Sequence, residues 1–311
     1  LDVLAGHEFY SYENLQLYAS RQNFPFSGIY ELANASTITD GTSYKDTYKI
    51  ESWLSRLSYN FDDRYYFSAS FRTDGSSRFY TDSRWGKFWS VGGAWRMSQE
   101  AFMKPTEDWL NNLTFKVSYG VQGNDNLLDS DGYSDYYPWQ GLYDMTYPNG
   151  NLSGAFLSSL ENRKLKWEKN KNLNVGVEAS MFNSRLSVSA EFYVKNTSDL
   201  LLLRPLPSSS GFSGYYDNIG DMRNTGVDVT ISGDIFRLDR FTWNSSLILS
   251  TFKNKITHLS DNGSDQIISG SFIQKVGEPI NSFYMPKAEG VDPETGLVQY
   301  YVTRTDENGV Q

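Results

Sequence analysis

Four aspartates lie close together in the segment NDNLLDSDGYSD, which runs from residue 124 to residue 135. Carboxylates at alternate positions beside a glycine that turns the chain are the oxygen ligands a calcium loop uses. The segment lacks the complete twelve-residue EF-hand pattern and its final glutamate. Two interpretations stay open, an acidic turn, which is the commoner use of such a segment, or a structural calcium site. The calcium alternative would use Asp125, Asp129, Asp131 and Asp135.

Aromatic side chains are concentrated in the polar stretch near residues 123–172, which contains these aspartates, and in a second polar stretch near residues 196–224. Aromatic faces beside carboxylates and amides suit stacking on a sugar, or contacts with a peptide or a partner protein. Equally, these rings could pack the two segments against each other. The predicted substrate-contacting or partner-contacting residues are Tyr133, Tyr136, Tyr137, Trp139, Tyr143, Phe212, Tyr215 and Tyr216.

No set of catalytic residues is recognisable in the sequence. The chain has two histidines, His7 and His258, and no cysteine, so a nucleophilic triad is hard to build. Neither a P-loop nor a dinucleotide-binding glycine signature is present. Carboxylates in exposed loops are mostly solvated, so we predict no catalytic residue and no enzymatic activity.

The elements that must position these loops are strands with two different faces. In LTFKVSYGVQ, residues 113–122, every odd position is apolar or aromatic and every even position is polar or glycine. Period two predicts a strand, and nine to eleven residues suffice for a tilted strand to cross a membrane. Further strands are predicted near residues 3–18, 52–61, 65–73, 88–96, 173–181, 186–195, 225–233 and 241–252, with weaker ones near 282–284 and 297–302.

The links between the strands fall into two classes that alternate along the chain. Short links are predicted at 62–64, 97–112, 182–185 and 234–240, with a short helix limited by Pro105 inside the second. Long loops are predicted near 21–49, 74–87, 123–172 and 196–224. Short turns at one end and long loops at the other are typical of membrane β-barrels, whose long loops are extracellular. Aromatic residues near the short turns fit the aromatic belt of such a barrel.

Composition agrees with this interpretation. Aromatic residues make up 16% of the 311 residues, the mean hydropathy is −0.52, and no apolar run is long enough for a membrane helix. The net charge of −9, without a cluster of basic residues, argues against nucleic-acid binding. Because no signal peptide precedes Leu1, we expect the sequence to begin inside a longer mature chain.

Several ordered motifs resemble the SusC/RagA family of TonB-dependent outer-membrane transporters. They include RTDGSSRF at 72–79, WRMSQEAF at 95–102, DWLNNL at 108–113, and FKVSYGVQGN at 115–124. KWEKNKNLNVGVEASMFNSRLSVSAEFYVKNTSDLLL at 166–202, NIGDMRNTGVDVTI at 218–231 and GVDPETG at 290–296 match as well. The matches cover most of residues 64–300 in the family's order, and a weaker match, LAGHEFYSY, lies at 4–12.

The resemblance implies an all-β, antiparallel transmembrane barrel of about 22 strands, of which nine or ten would lie in this chain. It also implies an N-terminal plug, a TonB box and closing C-terminal strands, none of which is visible, so we expect part of a larger protein. The implied function is import of glycans or peptides across the outer membrane of a Gram-negative, Bacteroidota-like bacterium. The implied partners are a SusD-like surface lipoprotein, outer-membrane lipid and, through the absent plug, the TonB–ExbB–ExbD complex.

In such a barrel the alternate polar side chains of each strand face the lumen, because a charged side chain facing lipid costs a few kcal/mol near the midplane. Two alternatives to a SusC-like importer are a small outer-membrane porin or adhesin, and a soluble carbohydrate-binding β-sandwich. The predicted lumen-facing residues are Arg56, Arg72, Arg96, Lys116, Gln122, Glu178 and Glu191.

Overall fold

The computed structural model describes residues 1–128, 132–259 and 266–301. In this part of the chain, nine long strands form one antiparallel sheet in which each strand pairs with the next along the chain. The sheet is open, with its first and last strands as edges, and the predicted all-β antiparallel fold is confirmed. The nine strands are β1 (Asp2–Gln22), β2 (Thr37–Phe61), β3 (Tyr65–Ser76), β4 (Trp85–Arg96), β5 (Leu110–Asn124), β6 (Glu168–Met181), β7 (Leu186–Ser198), β8 (Asp221–Leu238) and β9 (Phe241–His258).

Shorter elements occupy the links and the residues after β9. Within the described ranges, the 3-10 helices are Leu32–Asn34, Met97–Gln99, Ala101–Thr106 and Ser208–Ser210. None of the described helices is long and apolar enough to cross a membrane. Short strand pairs are Tyr143–Asp144 with Phe156–Leu157, Pro148–Asn149 with Leu152–Ser153, Leu201–Pro205 with Gly214–Asn218, and Ala288–Val291 with Val298–Tyr300. Gln266–Ser269, Phe272–Lys275 and Ser282–Phe283 form a small three-stranded sheet.

The strand register gives the sheet one apolar face and one polar face. Across β3, β4 and β5, Phe71 lies opposite Trp89, and Trp89 lies opposite Val121. The next residue along each strand points to the opposite face, and these alternate positions are mostly polar. Much of the apolar face is exposed; for example, Val117 is 51% exposed. An exposed apolar surface of this extent marks a membrane or a partner as its neighbour.

Tight turns close the end of the sheet that carries the short links. Asp62 and Asp63 both have positive φ values, 54° and 52°, and aspartate tolerates this left-handed conformation better than most residues. The Asn60 side chain supports the turn, since its Oδ1 accepts a hydrogen bond from the Asp63 amide at 3.1 Å. Aromatic rings pair beside these links, as Phe61 does with Tyr65 at 6.4 Å and Trp95 with Phe115 at 6.3 Å.

The predicted loop at 21–49 was wrong over most of its length, because β2 begins at Thr37. Residues 37–50 pair with β1 residues 10–22 as a long hairpin beyond the rest of the sheet. Most side chains on both faces of this hairpin are exposed, so its strands carry Ser, Thr and Asp, and composition alone indicated a loop. Backbone pairing, which does not depend on apolar side chains, holds these residues in a strand.

The other predicted limits require smaller corrections. The remaining long links occupy 77–84, 125–167 and 199–220, because the flanking strands extend beyond the alternating segments. The link at 199–220 also contains a strand pair that its polar composition concealed. The expected helix after residue 98 consists of two 3-10 segments, the second containing Pro105. Proline lacks the amide that a longer α-helical ladder needs at this position.

A compact hydrophobic cluster lies where the long links meet the sheet. Phe79 and Leu165 are fully buried, and the ring of Trp167 packs 5.4 Å from that of Phe79 and 5.2 Å from that of Phe88. Leu127 and Leu201 complete the buried cluster. Because its members come from three links and from β4, this cluster fixes the positions of the long links relative to one another.

Candidate functional site

The polar face of the sheet brings together the charged residues that the sequence predicted for the lumen. In the register, Leu4 lies opposite Arg56, Leu54 opposite Arg72, and Arg96 opposite Thr114. Thr114 in turn lies opposite Glu178, and Gly176 lies opposite Glu191. In each strand, alternate residues point to the same side of the sheet, and the register brings these residues together on one face. That face contains Arg56, Arg72, Arg96, Lys116, Gln122, Glu178 and Glu191. That this face borders a barrel lumen stays a prediction.

Several of the polar and charged side chains on this face are paired or hydrogen-bonded across strands. Lys116 forms an ion pair with Glu178, and the Arg96 side chain donates a 3.1 Å hydrogen bond to Oδ1 of Asn112. Oε1 of Gln122 accepts a hydrogen bond from Asn172 at 3.4 Å. A groove of about 560 Å³ follows this face near the short-link end of the sheet. Its lining includes Lys116, Glu178 and Glu191 among small side chains.

Arg72 is the centre of a polar network on this face. Its Nε donates to Oδ1 of Asp74 at 2.6 Å, and its Nη2 donates to Oε2 of Glu8 at 3.1 Å and to Oγ of Ser52 at 2.9 Å. Ser52 is fully buried and Asp74 nearly so. The network links β1, β2 and β3, so it stabilises the register of the first three strands.

Arg78 and Asp125 form a second polar network at the long-link end. Oδ2 of Asp125 accepts hydrogen bonds from the Tyr48 hydroxyl at 2.9 Å and from the buried Ser76 hydroxyl at 2.6 Å. The Arg78 guanidinium lies 4.7 Å from the centre of the Tyr48 ring and 5.4 Å from that of Tyr136. Burial, followed by the nearby Asp125 carboxylate, raises the pKa of Tyr48, so this phenol stays neutral at physiological pH.

Two of the four candidate calcium ligands lie in described parts of the chain. Asp125 belongs to the network just described, and Oδ1 of Asp135 accepts a hydrogen bond from the Tyr137 amide at 2.8 Å. Asp129 and Asp131 lie outside the described residues. The calcium site therefore stays a prediction, and the Oδ2 atom of Asp125 would have to exchange its two hydroxyl donors for the ion.

Four of the predicted contact residues pack within the protein. Tyr136 stacks on Tyr12 at 5.8 Å, and the Tyr137 hydroxyl accepts a hydrogen bond from the Thr47 amide at 2.8 Å. Trp139 packs 5.1 Å from the ring of Tyr80 and borders the hydrophobic cluster. Tyr216 also packs against that cluster, and its hydroxyl donates to the carbonyl oxygen of Leu128 at 2.8 Å. These contacts give all four residues a role in packing the links.

The remaining predicted contact residues are more accessible. Tyr133 is 74% exposed and Tyr143 is 65% exposed, so their rings can meet a ligand or a partner. Phe212 and Tyr215 are half-buried in the link at 199–220. Contact of any of these residues with substrate stays a prediction.

Sequence reasoning missed a group of tyrosines on the hairpin formed by β1 and β2. Tyr10 and Tyr12 lie two residues apart on β1, and Tyr44 and Tyr48 have the matching parity on β2. The ring of Tyr10 lies 6.1 Å from that of Tyr48, which connects this group to Tyr136. The parity of the tyrosines was a readable signal, but the assignment of residues 21–49 to a loop hid the second strand.

At the short-link end, Glu100 ties the 3-10 segment to the sheet. The Tyr65 hydroxyl donates to Oε1 of Glu100 at 2.6 Å, and Nε1 of Trp95 donates to the same atom at 3.1 Å. These hydrogen bonds, the first of them the larger cause, lower the pKa of the Glu100 carboxyl, and the nearby Arg64 guanidinium lowers it further. Glu100 is therefore held in its charged form.

Comparison with known proteins identifies the family. The model of the "TonB dependent receptor-like, beta-barrel" family matches residues 2–301. The chain belongs to this family. This membership does not support the two alternatives, a small porin or adhesin and a soluble β-sandwich. The predicted resemblance to the SusC/RagA type is confirmed by the relatives described next.

Among curated relatives, TonB-dependent receptor P39 of Formosa agariphila is 33% identical over 91% of this TonB-dependent receptor chain and 26% of its own length. TonB-dependent receptor SusC of Bacteroides thetaiotaomicron is 30% identical over 80% of the chain and 26% of its own length. The solved structure of the RagAB peptide transporter matches with a TM-score of 0.86 and 33% identity, over 96% of the chain and 33% of its own. The chain thus spans about a quarter to a third of these relatives.

Proposed function

We propose that the protein to which this chain belongs is an outer-membrane importer of the SusC type that takes up peptides or glycans. The observation that carries the proposal is the two-faced sheet within a TonB-dependent receptor family match over residues 2–301. An exposed apolar face suits lipid, and a polar face with paired charges suits a water-accessible or plugged interior. The name of RagAB, a peptide transporter, supports peptides as one substrate class.

The proposed partners follow from the same arrangement. A SusD-like surface lipoprotein would cover the long-link end, where exposed Tyr133 and Tyr143 are available for contact. Energy would come from the TonB–ExbB–ExbD complex acting through a plug outside the present chain. The host would be a Gram-negative bacterium, with the chain in its outer membrane. In this proposal the chain forms barrel wall and binding surface, and it catalyses no reaction.

Uptake in the native host tests this function. Cells that carry the full-length receptor should accumulate a labelled oligopeptide or oligosaccharide, whereas cells without the receptor, or without TonB, should lose that accumulation. Pull-down of the receptor from detergent extracts should also recover a surface lipoprotein. Unchanged uptake of every labelled substrate in both deletion strains would contradict the proposal.

A further inference from the structure

The hairpin formed by β1 residues 10–22 and β2 residues 37–50 has two chemically different faces beyond the rest of the sheet. One face of the hairpin, here called the inner face, continues the polar face of the sheet. The register runs without a shift from Glu8 opposite Ser52, on the polar face, to Tyr12 opposite Tyr48 on the hairpin. This inner face presents a row of tyrosines with amides and carboxylates between them. The residues of the row are Tyr10, Tyr12, Asn14, Gln16, Tyr18, Asp40, Thr42, Tyr44, Asp46 and Tyr48.

The two strands of the hairpin contribute no cationic side chain to this row. Between residues 10–20 and 40–50, all of which are described, each lysine has the opposite parity. Lys45 pairs with Glu13 on the outer face at 2.8 Å. The inner face thus combines π-surfaces with two aspartates, Asp40 and Asp46, and has no lysine or arginine of its own. Its electrostatic character favours a positively charged ligand.

The protein itself shows that this aromatic group accepts a cation. The guanidinium of Arg78 lies over Tyr48 at 4.7 Å and over Tyr136 at 5.4 Å, within the distance at which a ring quadrupole attracts a cation. Arg78 occupies only the end of the row nearest the sheet. Tyr10, opposite Ile50 at the sheet end of the row, is 48% exposed, and further out Tyr18 and Tyr44 are each 49% exposed.

The spacing of the row fits an extended peptide. Side chains on one face of a strand repeat about every 6.7 Å, and alternate side chains of an extended peptide repeat at the same distance. Tyr18 and Tyr44 are diagonal neighbours across the hairpin, because Tyr18 lies opposite Thr42. Diagonal neighbours lie about 7–8 Å apart, so one lysine or arginine can contact both rings.

We propose that the inner face of this hairpin binds peptides that contain lysine or arginine, and that Tyr10, Tyr18 and Tyr44 supply cation–π contacts to them. The inference rests on the proposed import function and narrows its substrate class to basic peptides. The net charge of −9 on this chain agrees with a preference for positively charged ligands.

Binding of matched fluorescent hexapeptides to the purified full-length receptor tests the proposal. One peptide contains lysines, one contains glutamates at the same positions, and one contains serines; a neutral oligosaccharide serves as the fourth probe. The lysine peptide should bind more tightly than the other probes, and its affinity should fall as salt rises. Tyr10→Ala combined with Tyr18→Ala should weaken its binding about four- to twenty-five-fold, at roughly two- to fivefold per ring.

Two controls separate ring chemistry from folding. Tyr10→Phe combined with Tyr18→Phe keeps both rings and should retain most of the affinity. Leu17→Ala alters an 82% exposed side chain on the outer face and should leave binding unchanged. Equal binding of the glutamate peptide, unchanged affinity in the alanine variant, or binding of the oligosaccharide alone would overturn the hairpin inference.

The same experiments distinguish failure of the inference from failure of the function. If wild-type cells import a peptide or an oligosaccharide in a TonB-dependent manner but the alanine variant binds every probe normally, only the hairpin inference is wrong. If wild-type cells import none of the probes and the receptor binds none, both the import function and the hairpin inference are contradicted.

Discussion

Arg78 and Asp125 connect two long links through a buried ion pair, with Nη1 of Arg78 3.7 Å from Oδ1 of Asp125. The same Nη1 donates a 3.1 Å hydrogen bond to the main-chain oxygen of Asp125. One residue belongs to the link at 77–84 and the other begins the link at 125–167. Since both also contact Tyr48 on β2, this pair fixes the two links to the hairpin.

Replacement of Arg78 by methionine should release the link at 125–167 from the hairpin. Removing one partner of a buried ion pair costs about 3–5 kcal/mol, because the remaining charge is left uncompensated. We expect faster cleavage of residues 125–167 by a protease added to the full-length receptor. Arg163→Met is the matched control, because Arg163 pairs with Glu161 while 60% exposed, and such pairs contribute about 0–1 kcal/mol. Equal cleavage of both variants would contradict the assignment.

Leu165→Ala tests whether the hydrophobic cluster holds the long links together. Leu165 is fully buried, and truncating a buried leucine costs about 2–5 kcal/mol. Amide hydrogens beside the cluster should therefore exchange at least about tenfold faster, since 1.4 kcal/mol corresponds to a factor of ten. Leu152→Ala, in the same link but 72% exposed, should leave exchange near wild-type rates. A similar effect from both substitutions would show that the cluster is not the anchor.

Trp139 and Tyr133 separate packing from ligand contact in the link at 125–167. Trp139 packs against Tyr80, so Trp139→Ala should loosen the links and raise their proteolysis. Tyr133 is 74% exposed, so Tyr133→Ala should leave proteolysis unchanged and weaken substrate or partner binding if that ring makes a contact. Binding assays on both variants decide the point. Weakened binding in the Trp139 variant with wild-type proteolysis would instead place Trp139 in the contact surface.

Glu100 gives the short-link end a defined pH dependence. Its pKa is lowered in the folded protein, so its contribution to stability is present above the ordinary glutamate pKa of about 4.3 and is lost as the pH falls through the lowered value. Glu100→Gln should lower the thermal midpoint of the receptor at pH 7. The difference from wild type should shrink below about pH 4, where the wild-type carboxyl begins to accept a proton. A difference that is constant from pH 7 to pH 3 would contradict this origin.

The sequence predicted the sheet well wherever one face is apolar. The segment from Leu113 to Gln122 lies within β5, and all nine long strands were anticipated because their alternation reports two different environments. The part of β2 from Thr37 to Ile50 was missed because polar residues occupy both of its faces there. Apart from the matching parity of Tyr44 and Tyr48, this part of β2 has no alternation of apolar and polar residues, and backbone pairing is what distinguishes it from a loop.

The candidate site was less predictable than the sheet. Trp139 and Tyr136 were recognised as notable residues, but their partners Tyr80 and Tyr12 lie far away in sequence, and no local pattern connects them. Arg78 was visible only as part of a family motif. Its contact with Asp125 depends on how two links fold back over the sheet, and tertiary packing sets that arrangement.

Accessibility of spin labels along β5 tests most directly that the apolar face meets lipid and the polar face does not. This chain contains no cysteine, so a cysteine introduced at any position from Phe115 to Tyr119 is unique within it. In the full-length receptor in bilayers, labels at residues 115, 117 and 119 should collide with oxygen dissolved in lipid, whereas labels at residues 116 and 118 should be protected from it. Accessibility without a period of two, or with the opposite parity, would contradict the account.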